Sequence, residues 1–313
     1  MLKILSLREG IVELKDLSEI TTAPTWIDIT KITPEEAQLL QQKLDLHPLT
    51  VKDLSTTRTR IKIEQFPKYL FCVFYSVQKT KALKTLEVDV ILAKNLLVTN
   101  HVQDIPAIIE LHQDHKKLEF LFKKGKGADF LFYHLLDKAV DSFFPVLDGI
   151  DGEIETTEQL ISKKVSSKVL QRITSLRKKV IYLKKITIAL REKISGLTKG
   201  DNEFISKKAT PYFRDVHNNS IRIFETIENS RESVSTISEL YLSTVSNSTN
   251  EVMKVLSVIA TMALPLTVIS SIYGTNFKFL PGSSVSYGFW IMIAIMVSMG
   301  GAMLLYFRKR GWF

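Results

Sequence analysis

The sequence predicts an α+β domain with very long α-helices, joined to a two-helix transmembrane domain. Three features support this prediction: strand-like segments in the first hundred residues, unusually long helical stretches after residue 126, and two uncharged runs beyond residue 254. We place the domain boundaries at residues 1–125 for the α+β domain, 126–254 for a long helical hairpin or stalk, and 255–313 for the transmembrane domain with a short basic tail.

The first domain mixes strand and helix signals. Residues 26–30 alternate like a short strand. A helix is expected to begin at Pro34, because Thr33 can act as N-cap and Glu36 can complete a capping box. Three further strands are predicted by segments rich in β-branched and aromatic residues, at 69–77, 86–93 and 96–101. We therefore expect a small sheet flanked by helices.

Two long stretches, at residues 153–195 and 212–264, lack glycine and proline. The second continues without a stop signal to residue 272, which predicts one helix of about 60 residues and about 90 Å. Because a soluble core cannot bury such a helix alone, we expect a long antiparallel hairpin or an oligomeric bundle. Acids at 148–158 precede eleven basic residues between 163 and 193, so we expect neighbouring helices to match their charges.

Two uncharged segments are long enough to cross a bilayer, at about residues 255–273 and 287–307. Lys254 precedes the first, and the basic residues Arg308, Lys309 and Arg310 follow the second. The positive-inside rule therefore places both termini in the cytoplasm. Charges interrupt the apolar residues at the start of the chain, so a signal peptide is not expected. The prediction is a multi-pass protein of the cell (inner) membrane that contacts the lipid bilayer.

Several functional classes are disfavoured. The single cysteine, Cys72, lies in an apolar run and is expected to be a buried, inert thiol, which excludes a disulfide framework or a paired-cysteine metal site. The six histidines show no catalytic spacing, and His112 and His115 are expected at the surface, so an enzyme is not predicted. The net charge of +9 is accompanied by no nucleic-acid-binding motif, so nucleic acid is not an expected partner.

The first span carries a stripe of small or polar residues. They recur at alternating spacings of three and four, which places them on one helix face. The members are Asn250, Met253, Ser257, Ala260, Leu264, Thr267 and Ser271. Such a stripe either packs against another helix or lines a pore, and the residues alone leave both interpretations open.

The loop after this span contains Tyr273-Gly274-Thr275-Asn276-Phe277. Together with Tyr241-Leu242-Ser243, the segment 249–256 (Thr-Asn-Glu-Val-Met-Lys-Val-Leu), Pro265-Leu266-Thr267 and Leu46-His47-Pro48-Leu49, it resembles the CorA family of divalent-cation channels over nearly the whole chain. The resemblance implies a funnel-shaped homopentamer in which the long helix lines the pore and the second span lies outside it. It also implies passive, membrane-potential-driven transport of Mg²⁺.

The resemblance assigns a selectivity filter to Tyr273, Gly274, Thr275 and Asn276. Neutral oxygens of Asn276 and of the Gly274 backbone suit a hydrated Mg²⁺ ion, which gives up its water reluctantly. The family's hallmark is Gly-Met-Asn, and Thr275 stands here for the methionine. Its hydroxyl either contacts the water of the ion or caps the helix end, and we favour the cap. Deeper in the pore, Thr267 and Asn250 would form polar rings, and Met253 and Leu256 an apolar constriction.

Family gating implies cytosolic Mg²⁺ bound between carboxylates of neighbouring subunits. The candidates for this site are Asp215 by motif and, because the expected partner loop around residues 77–86 has no acid between 78 and 85, Glu87 or Asp89. Glu239 is expected near the cytosolic mouth of the pore, where a carboxylate would raise the local cation concentration. Lys254, Arg308, Lys309 and Arg310 would form a basic ring that anchors the spans or repels cations. Mg²⁺ is thus expected as substrate and regulatory ligand, without a further cofactor.

Two alternatives remain open from the sequence. The altered filter motif is compatible with a CorA relative that prefers Zn²⁺, Co²⁺ or Ni²⁺, although the spans contain no cysteine, histidine or carboxylate that would favour a softer metal. The second alternative is a membrane-anchored helical scaffold or sensor in which the stripe on the first span is a packing surface.

Overall fold

The computed structural model describes residues 2–57, 59–79, 83–125, 127–163, 166–199, 202–278, 280–282 and 285–312. The chain divides into two compact units. The larger comprises Met1–Leu160 and Ser166–Ser238, and the smaller comprises Ile161–Val165 and Glu239–Phe313. The boundary at residue 238 falls within one continuous helix.

The larger unit contains a mixed β-sheet. Its strands among the described residues are β1 (Leu2–Leu7), β2 (Ile11–Leu14), β3 (Thr25–Thr30), β4 (Lys62–Gln65), β5 (Leu70–Lys79), β6 (Leu83–Leu92) and β7 (Leu96–His101). Their order is β2-β1-β3-β7-β6-β5-β4, and the neighbours are antiparallel except for the parallel pair β3 and β7. The four predicted strands are confirmed as β3, β5, β6 and β7.

Helices cover both faces of this sheet. They are α1 (Pro34–Leu44), α2 (Pro48–Leu54), α3 (Pro106–Gln113), α4 (His115–Lys124) and α5 (Asp129–Asp141). On one face, Leu40 of α1 and Leu54 of α2 share a core with Ile27 and Phe71 of the sheet. On the other face, Phe132 of α5 contacts Phe74 of β5. The free thiol of Cys72 is buried, as expected.

The predicted start of α1 is confirmed in detail. The Glu36 amide donates to the Thr33 hydroxyl over 3.2 Å, and the Thr33 amide donates to the Glu36 carboxylate over 2.8 Å. These two bonds are the capping box that the spacing of the residues predicts, and Pro34 occupies the first turn.

A buried carboxylate joins β3, β7 and α3. Asp28 Oδ2 lies 2.7 Å from His112 Nε2, and Asp28 Oδ1 accepts a bond of 2.5 Å from the Thr99 hydroxyl. His101 Nε2 lies 3.3 Å from Asp28 Oδ1. Burial opposes ionisation, but the two histidines hold the pKa of Asp28 well below its ordinary value of 3.8. His112, expected at the surface, is therefore part of the domain's interior, where it also stacks on Trp26.

Three helices form the stalk of the larger unit: α6 (Phe143–Lys163), α7 (Ser167–Leu197) and α8 (Thr210–Tyr273). The 64 residues of α8 confirm the single very long helix, and at about 1.5 Å per residue it extends about 96 Å. The first stretch without glycine and proline, 153–195, is divided between two helices, because α6 ends at Lys163 and α7 begins at Ser167. Ser166 takes an extended N-cap conformation there, and this break carries no glycine or proline signal.

Ion pairs confirm the expected charge matching between these helices. Lys179 of α7 lies 2.6 Å from Glu153 of α6, and Lys184 of α7 lies 2.7 Å from Glu228 of α8. In addition, the Ser230 hydroxyl of α8 donates to Asp151 of α6 over 2.8 Å. The buried residues of α8 in this region recur at spacings of three and four, as in a helical bundle: Phe213, Val216, Ser220, Ile223, Ile227, Ser230, Val234 and Ile237.

The smaller unit contains the end of α8 and a final helix, α9 (Gly288–Lys309). Both helices are long and apolar enough to cross a membrane, with mean hydropathies of 2.1 and 2.0 in their most apolar segments. Almost none of either segment is buried within the chain. Such surfaces require cover by lipid or by other protein, as expected for the two predicted spans.

Candidate ion pathway and its acidic and basic groups

The candidate pore stripe lies on a face of α8 that the chain leaves uncovered. Its seven members, and the further predicted pore-lining residue Leu256, are exposed; the members are Asn250, Met253, Ser257, Ala260, Leu264, Thr267 and Ser271. Most of α8 beyond residue 250 is exposed, including Val255 and Ile259 outside the stripe. Val258 is buried, however, and Ser270 approaches the sulfur of Met296 in α9 at 4.0 Å. At about 100° per residue, the stripe is turned away from Val258 by roughly 150°. The structure thus separates an α9-facing side of α8 from the stripe.

Two of the three hydroxyl groups of the stripe, those of Ser257 and Thr267, donate to their own helix. Ser257 donates to the Met253 carbonyl over 2.8 Å, and Thr267 donates to the Ala263 carbonyl over 2.9 Å. Because these protons are used within the helix, the hydroxyl oxygens retain lone pairs that can accept hydrogen bonds from water. The water molecules bound to a hydrated cation point their hydrogen atoms outward and act as hydrogen-bond donors. Hydroxyl oxygens that accept such bonds therefore suit an ion that keeps its hydration shell.

The candidate filter begins where α8 ends. The Gly274 amide donates to the Ser270 carbonyl over 2.9 Å, and the Thr275 hydroxyl donates to the Ile272 carbonyl over 2.7 Å. Thr275 therefore caps the last turn of α8, which is the interpretation favoured from the sequence. Asn276 is exposed and follows directly, so its amide lies beyond the capped end of the helix.

The loop between α8 and α9 is held by a tyrosine and two glycines. The Tyr273 hydroxyl donates to the Pro281 carbonyl over 2.9 Å. Gly282 has a φ of +79°, and a Cβ atom on Gly288 would lie only 2.1 Å from the Gly282 carbonyl oxygen. Glycine is thus required at both positions for this turn. Tyr273 acts here as a loop anchor, which neither supports nor opposes its predicted place in the filter.

At the other end of the spans, the basic groups surround a helix C-cap. Gly311 has a φ of +69°, the Trp312 amide donates to the Phe307 carbonyl over 3.0 Å, and the Gly311 amide donates to the Arg308 carbonyl over 3.0 Å. This is a Schellman motif, with the expected contact between the rings of Phe307 and Trp312. Lys254 of α8 donates to the Gly311 carbonyl over 3.1 Å. The predicted basic residues Lys254, Arg308, Lys309 and Arg310 therefore lie at one end of the smaller unit.

Asp215 lies in an acidic patch that the sequence analysis only partly identified. Tyr133 of α5 contacts the rings of Tyr212 and Phe213 of α8, which brings the following turns of both helices together. Burial and the charges of Asp141 and Asp215 raise the pKa of Asp137 to about 6. Burial and the charges of Asp137, Asp215 and Asp141 raise the pKa of Tyr133 to about 12. Asp137 and Asp141 of α5 therefore belong to the same group of acids as Asp215. In the sequence these two are recognisable only as acids spaced one helical turn apart.

The other acidic candidates occupy separate places. Glu87 accepts a bond of 2.7 Å from the Thr59 amide, and burial raises the pKa of Asp89 to about 8 although Asn100 donates to it. A carboxyl group that keeps its proton is a poor ligand for Mg²⁺, which argues against Asp89 as a metal ligand. Glu239 is exposed on α8, in the smaller unit.

No three or more acids, histidines or cysteines among the described residues are arranged to hold a metal ion within one chain. Part of the predicted partner loop, residues 80–82, lies outside the described residues. The four acidic candidates are thus not gathered into one site by this chain alone.

Comparison with known proteins gives a consistent assignment. Residues 22–309 match the sequence profile of the CorA-like Mg²⁺ transporter protein family. The chain is 35% identical to the cobalt/magnesium transport protein CorA of Thermotoga maritima, over 97% of this chain and 86% of that one. It is 27% identical to the cobalt/magnesium transport protein CorA of Methanocaldococcus jannaschii, over 92% of this chain and 90% of that one.

The fold agrees with a solved structure over its whole length. The complete structure of the CorA magnesium transporter from Methanocaldococcus jannaschii superposes with a TM-score of 0.89 at 24% identity, and the match covers 100% of this chain and 99% of that one. Its family consists of membrane ion transporters and not of enzymes. With a profile match over almost the entire sequence and a relative at 35% identity, this chain is a member of the CorA family.

Proposed function

We propose that the protein is a passive divalent-cation channel that carries Mg²⁺, and also Co²⁺, across the membrane. The observation that carries this proposal is the exposed stripe on α8, which faces away from α9 and leads to the loop at Gly274 and Asn276. A surface of alternating hydroxyl, amide and apolar groups within an apolar helix requires either a protein partner or water. If several copies of α8 surround an axis, neighbouring copies cover the apolar groups of this surface and water in the central pore contacts its polar groups.

The assembly we propose is a homopentamer. Two relatives of this chain are named for cobalt and magnesium transport, and the resemblance of the motifs implies five copies in a funnel. Five Asn276 amides and Gly274 carbonyls would then form the entrance, Thr267 and Asn250 polar rings, and Met253 and Leu256 an apolar constriction. Both termini would be cytoplasmic, in the inner membrane, because the basic residues lie at one end of the spans.

The ion preference follows from the ligand types along this path. The uncharged run 255–277 contains no cysteine, histidine or carboxylate, so the polar ligands along it are neutral hydroxyl, amide and carbonyl oxygens. Such oxygens suit the hydrated Mg²⁺ ion and give no advantage to Zn²⁺ or Ni²⁺, which bind imidazole and thiolate better. With no fixed charge in the pore, an inside-negative membrane potential would drive the entry of cations. No resident cofactor is needed for this process.

Cytosolic Mg²⁺ is proposed to close the channel by binding at Asp215. The supporting observation is that burial, together with the charges of Asp141 and Asp215, raises the pKa of Asp137, and a bound cation would relieve the repulsion among these acids. Because the three acids do not form a complete metal site within one chain, a neighbouring subunit would contribute the remaining ligands. Glu239 and Glu87 would raise the local cation concentration at other points of the assembly.

The test is Mg²⁺ flux into proteoliposomes with and without an inside-negative potential. Wild-type protein should admit Mg²⁺ and Co²⁺ at a rate that increases with the potential, and Asn276→Ala should reduce the rate at least tenfold. Asn218→Ala, at an exposed asparagine of α8 outside the proposed path, is the matched control and should leave the rate unchanged. The mass of the purified assembly should equal five chains. Absence of flux for every divalent ion in a correctly assembled oligomer would instead favour a scaffold or sensor.

A further inference from the structure

The C-cap of α9 and Lys254 of α8 together form a group of cations without acidic partners. Arg308, Lys309 and Arg310 are exposed, and no ion pair to them or to Lys254 occurs among the described residues. The acids of the smaller unit are Glu239 and Glu251, against five lysines and arginines in residues 239–313. An anion from outside the chain is therefore the natural counter-charge.

The backbone of this region holds the cations in a defined arrangement. The Schellman motif turns the chain at Gly311 and packs Trp312 on Phe307, whose side chain is buried. Lys254 donates one hydrogen bond to the Gly311 carbonyl and lies 5.8 Å from the centre of the Trp312 ring. Two ammonium protons of Lys254 remain for other acceptors. The Gly311 carbonyl thus connects Lys254, at the start of the first span, to the basic C-terminal end of the second span.

The position of this group selects the kind of anion. Lys254 directly precedes the uncharged run 255–277, and Arg308 directly follows the uncharged run 279–307. Both cations therefore lie where apolar helix ends, at the level of lipid headgroups. The aromatic rings of Tyr306 and Trp312 are exposed at the same level, and Arg310 lies 5.7 Å from the Tyr306 ring centre. Exposed tyrosine and tryptophan beside arginine and lysine are typical of a protein surface that contacts headgroups.

We propose that Lys254, Trp312 and the basic residues 308–310 form a binding site for the phosphate of an anionic phospholipid. The arginines supply planar pairs of N–H donors that match phosphate oxygens, and Lys254 and the Trp312 indole add single donors. The bound lipid joins α8 to α9 at the end of the spans that carries the basic tail. Its assignment to the cytoplasmic leaflet rests on the proposed orientation, whereas the binding itself is independent of transport.

Lipid binding is measured on the full-length protein by native mass spectrometry and by thermal unfolding in detergent. Added phosphatidylglycerol should be retained and should raise the unfolding temperature, and phosphatidylcholine should do neither. The triple variant Arg308→Gln, Lys309→Gln and Arg310→Gln should bind phosphatidylglycerol about a hundredfold more weakly, because each juxtamembrane cation contributes roughly a fivefold effect and the three effects multiply. Lys278→Gln, which removes the cation of the opposite loop, is the control and should bind like the wild type.

Two further measurements keep the proposal open to refutation if the triple variant assembles poorly. Lys309→Gln alone, at an exposed side chain, should weaken binding severalfold. Trp312→Phe should also weaken binding severalfold, because phenylalanine keeps an aromatic ring but lacks the indole N–H donor. Equal retention of phosphatidylglycerol and phosphatidylcholine by the wild type would overturn the proposal. Equal stabilisation by inorganic phosphate at the same concentration would overturn the assignment to lipid. Neither outcome depends on flux, so failure here is distinct from failure of the channel proposal.

Discussion

The hydroxyl group of Thr275 donates a hydrogen bond of 2.7 Å to the carbonyl oxygen of Ile272. Carbonyl groups in the last turn of a helix have no helical donor, so this bond satisfies an acceptor at the end of α8. Thr275, which stands where the family's Gly-Met-Asn motif has methionine, thus caps the end of α8. Its proton is directed into the helix, so the proposed filter assigns the contact with the ion to Asn276.

We predict that Thr275→Ser retains wild-type flux and stability, because serine keeps the capping hydroxyl. Thr275→Val has the same shape but no hydroxyl, and should destabilise the end of α8 by about 1 kcal/mol. The unfolding temperature of the purified protein and the ratio of Mg²⁺ to Zn²⁺ flux are the measurements. A change in that ratio for Thr275→Val, with no change in unfolding temperature, would show that the hydroxyl contacts the ion and not the helix.

The close approach of Gly288 to Gly282 gives a second prediction. A Cβ atom on Gly288 would lie 2.1 Å from the Gly282 carbonyl oxygen, so Gly288→Ala must displace the loop that follows Asn276. We expect at least a tenfold loss of flux, measured at equal amounts of assembled protein. Gly300→Ala is the control in the same helix, because a Cβ atom there meets nothing within 4 Å. Wild-type flux in both variants would show that this loop geometry is not needed for conduction.

Much of the fold was predictable because local signals and tertiary structure agree. The capping box at Thr33 and Glu36, the strand at 96–101 and the uninterrupted helix to Tyr273 all follow from residue type and spacing. Three strands, β1, β2 and β4, were missed. Of these, β2 and β4 are only four residues long and carry charge, as is common for strands at the edges of a sheet. The break between α6 and α7 was missed because it contains no helix-breaking residue.

The candidate site was predictable only where it is local in sequence. The stripe on α8 and the filter motif are continuous segments, and their positions on one helix follow from its period. Asp137 and Asp141 approach Asp215 only through the packing of Tyr133 on Tyr212 and Phe213, which no spacing within the sequence reveals. For the same reason, the contact of Lys254 with the Gly311 carbonyl, 57 residues away, could not be predicted.

A third prediction concerns the buried cluster around Asp28. Asp28→Asn should destabilise the protein by about 2–3 kcal/mol near pH 5.5, because hydrogen bonds to a charged group are lost. The measurement is thermal or denaturant unfolding of the full-length protein, followed by the fluorescence of Trp26, which stacks on His112. Asp148→Asn, at an exposed acid of α6, is the control and should change the stability little.

The pH dependence of this effect has a defined sign. The pKa of Asp28 is lowered, so its contribution is present above the ordinary value of 3.8 and is lost as the pH falls below it. Burial opposes the charge on His101, but Asp28 raises its pKa; the contribution of His101 is present below the ordinary value of 6.5 and is lost as the pH rises through the raised value. The difference between wild type and Asp28→Asn should therefore be largest between about pH 4 and 6.5. A difference that stays constant from pH 3 to 9 would show that the ion pairs contribute nothing.

The fourth prediction concerns the acidic patch at Asp215. Mg²⁺ should protect the wild-type protein from thermal unfolding and from limited proteolysis, and Asp215→Asn should need at least tenfold more Mg²⁺ for the same protection. Because the pKa of Asp137 is about 6, a proton competes with the metal below that pH. Protection should therefore weaken as the pH falls from 7.5 to 5. Asp137→Asn should remove most of this pH dependence and Asp148→Asn should leave it intact, whereas equal Mg²⁺ protection in Asp215→Asn and the wild type would place the regulatory ion elsewhere.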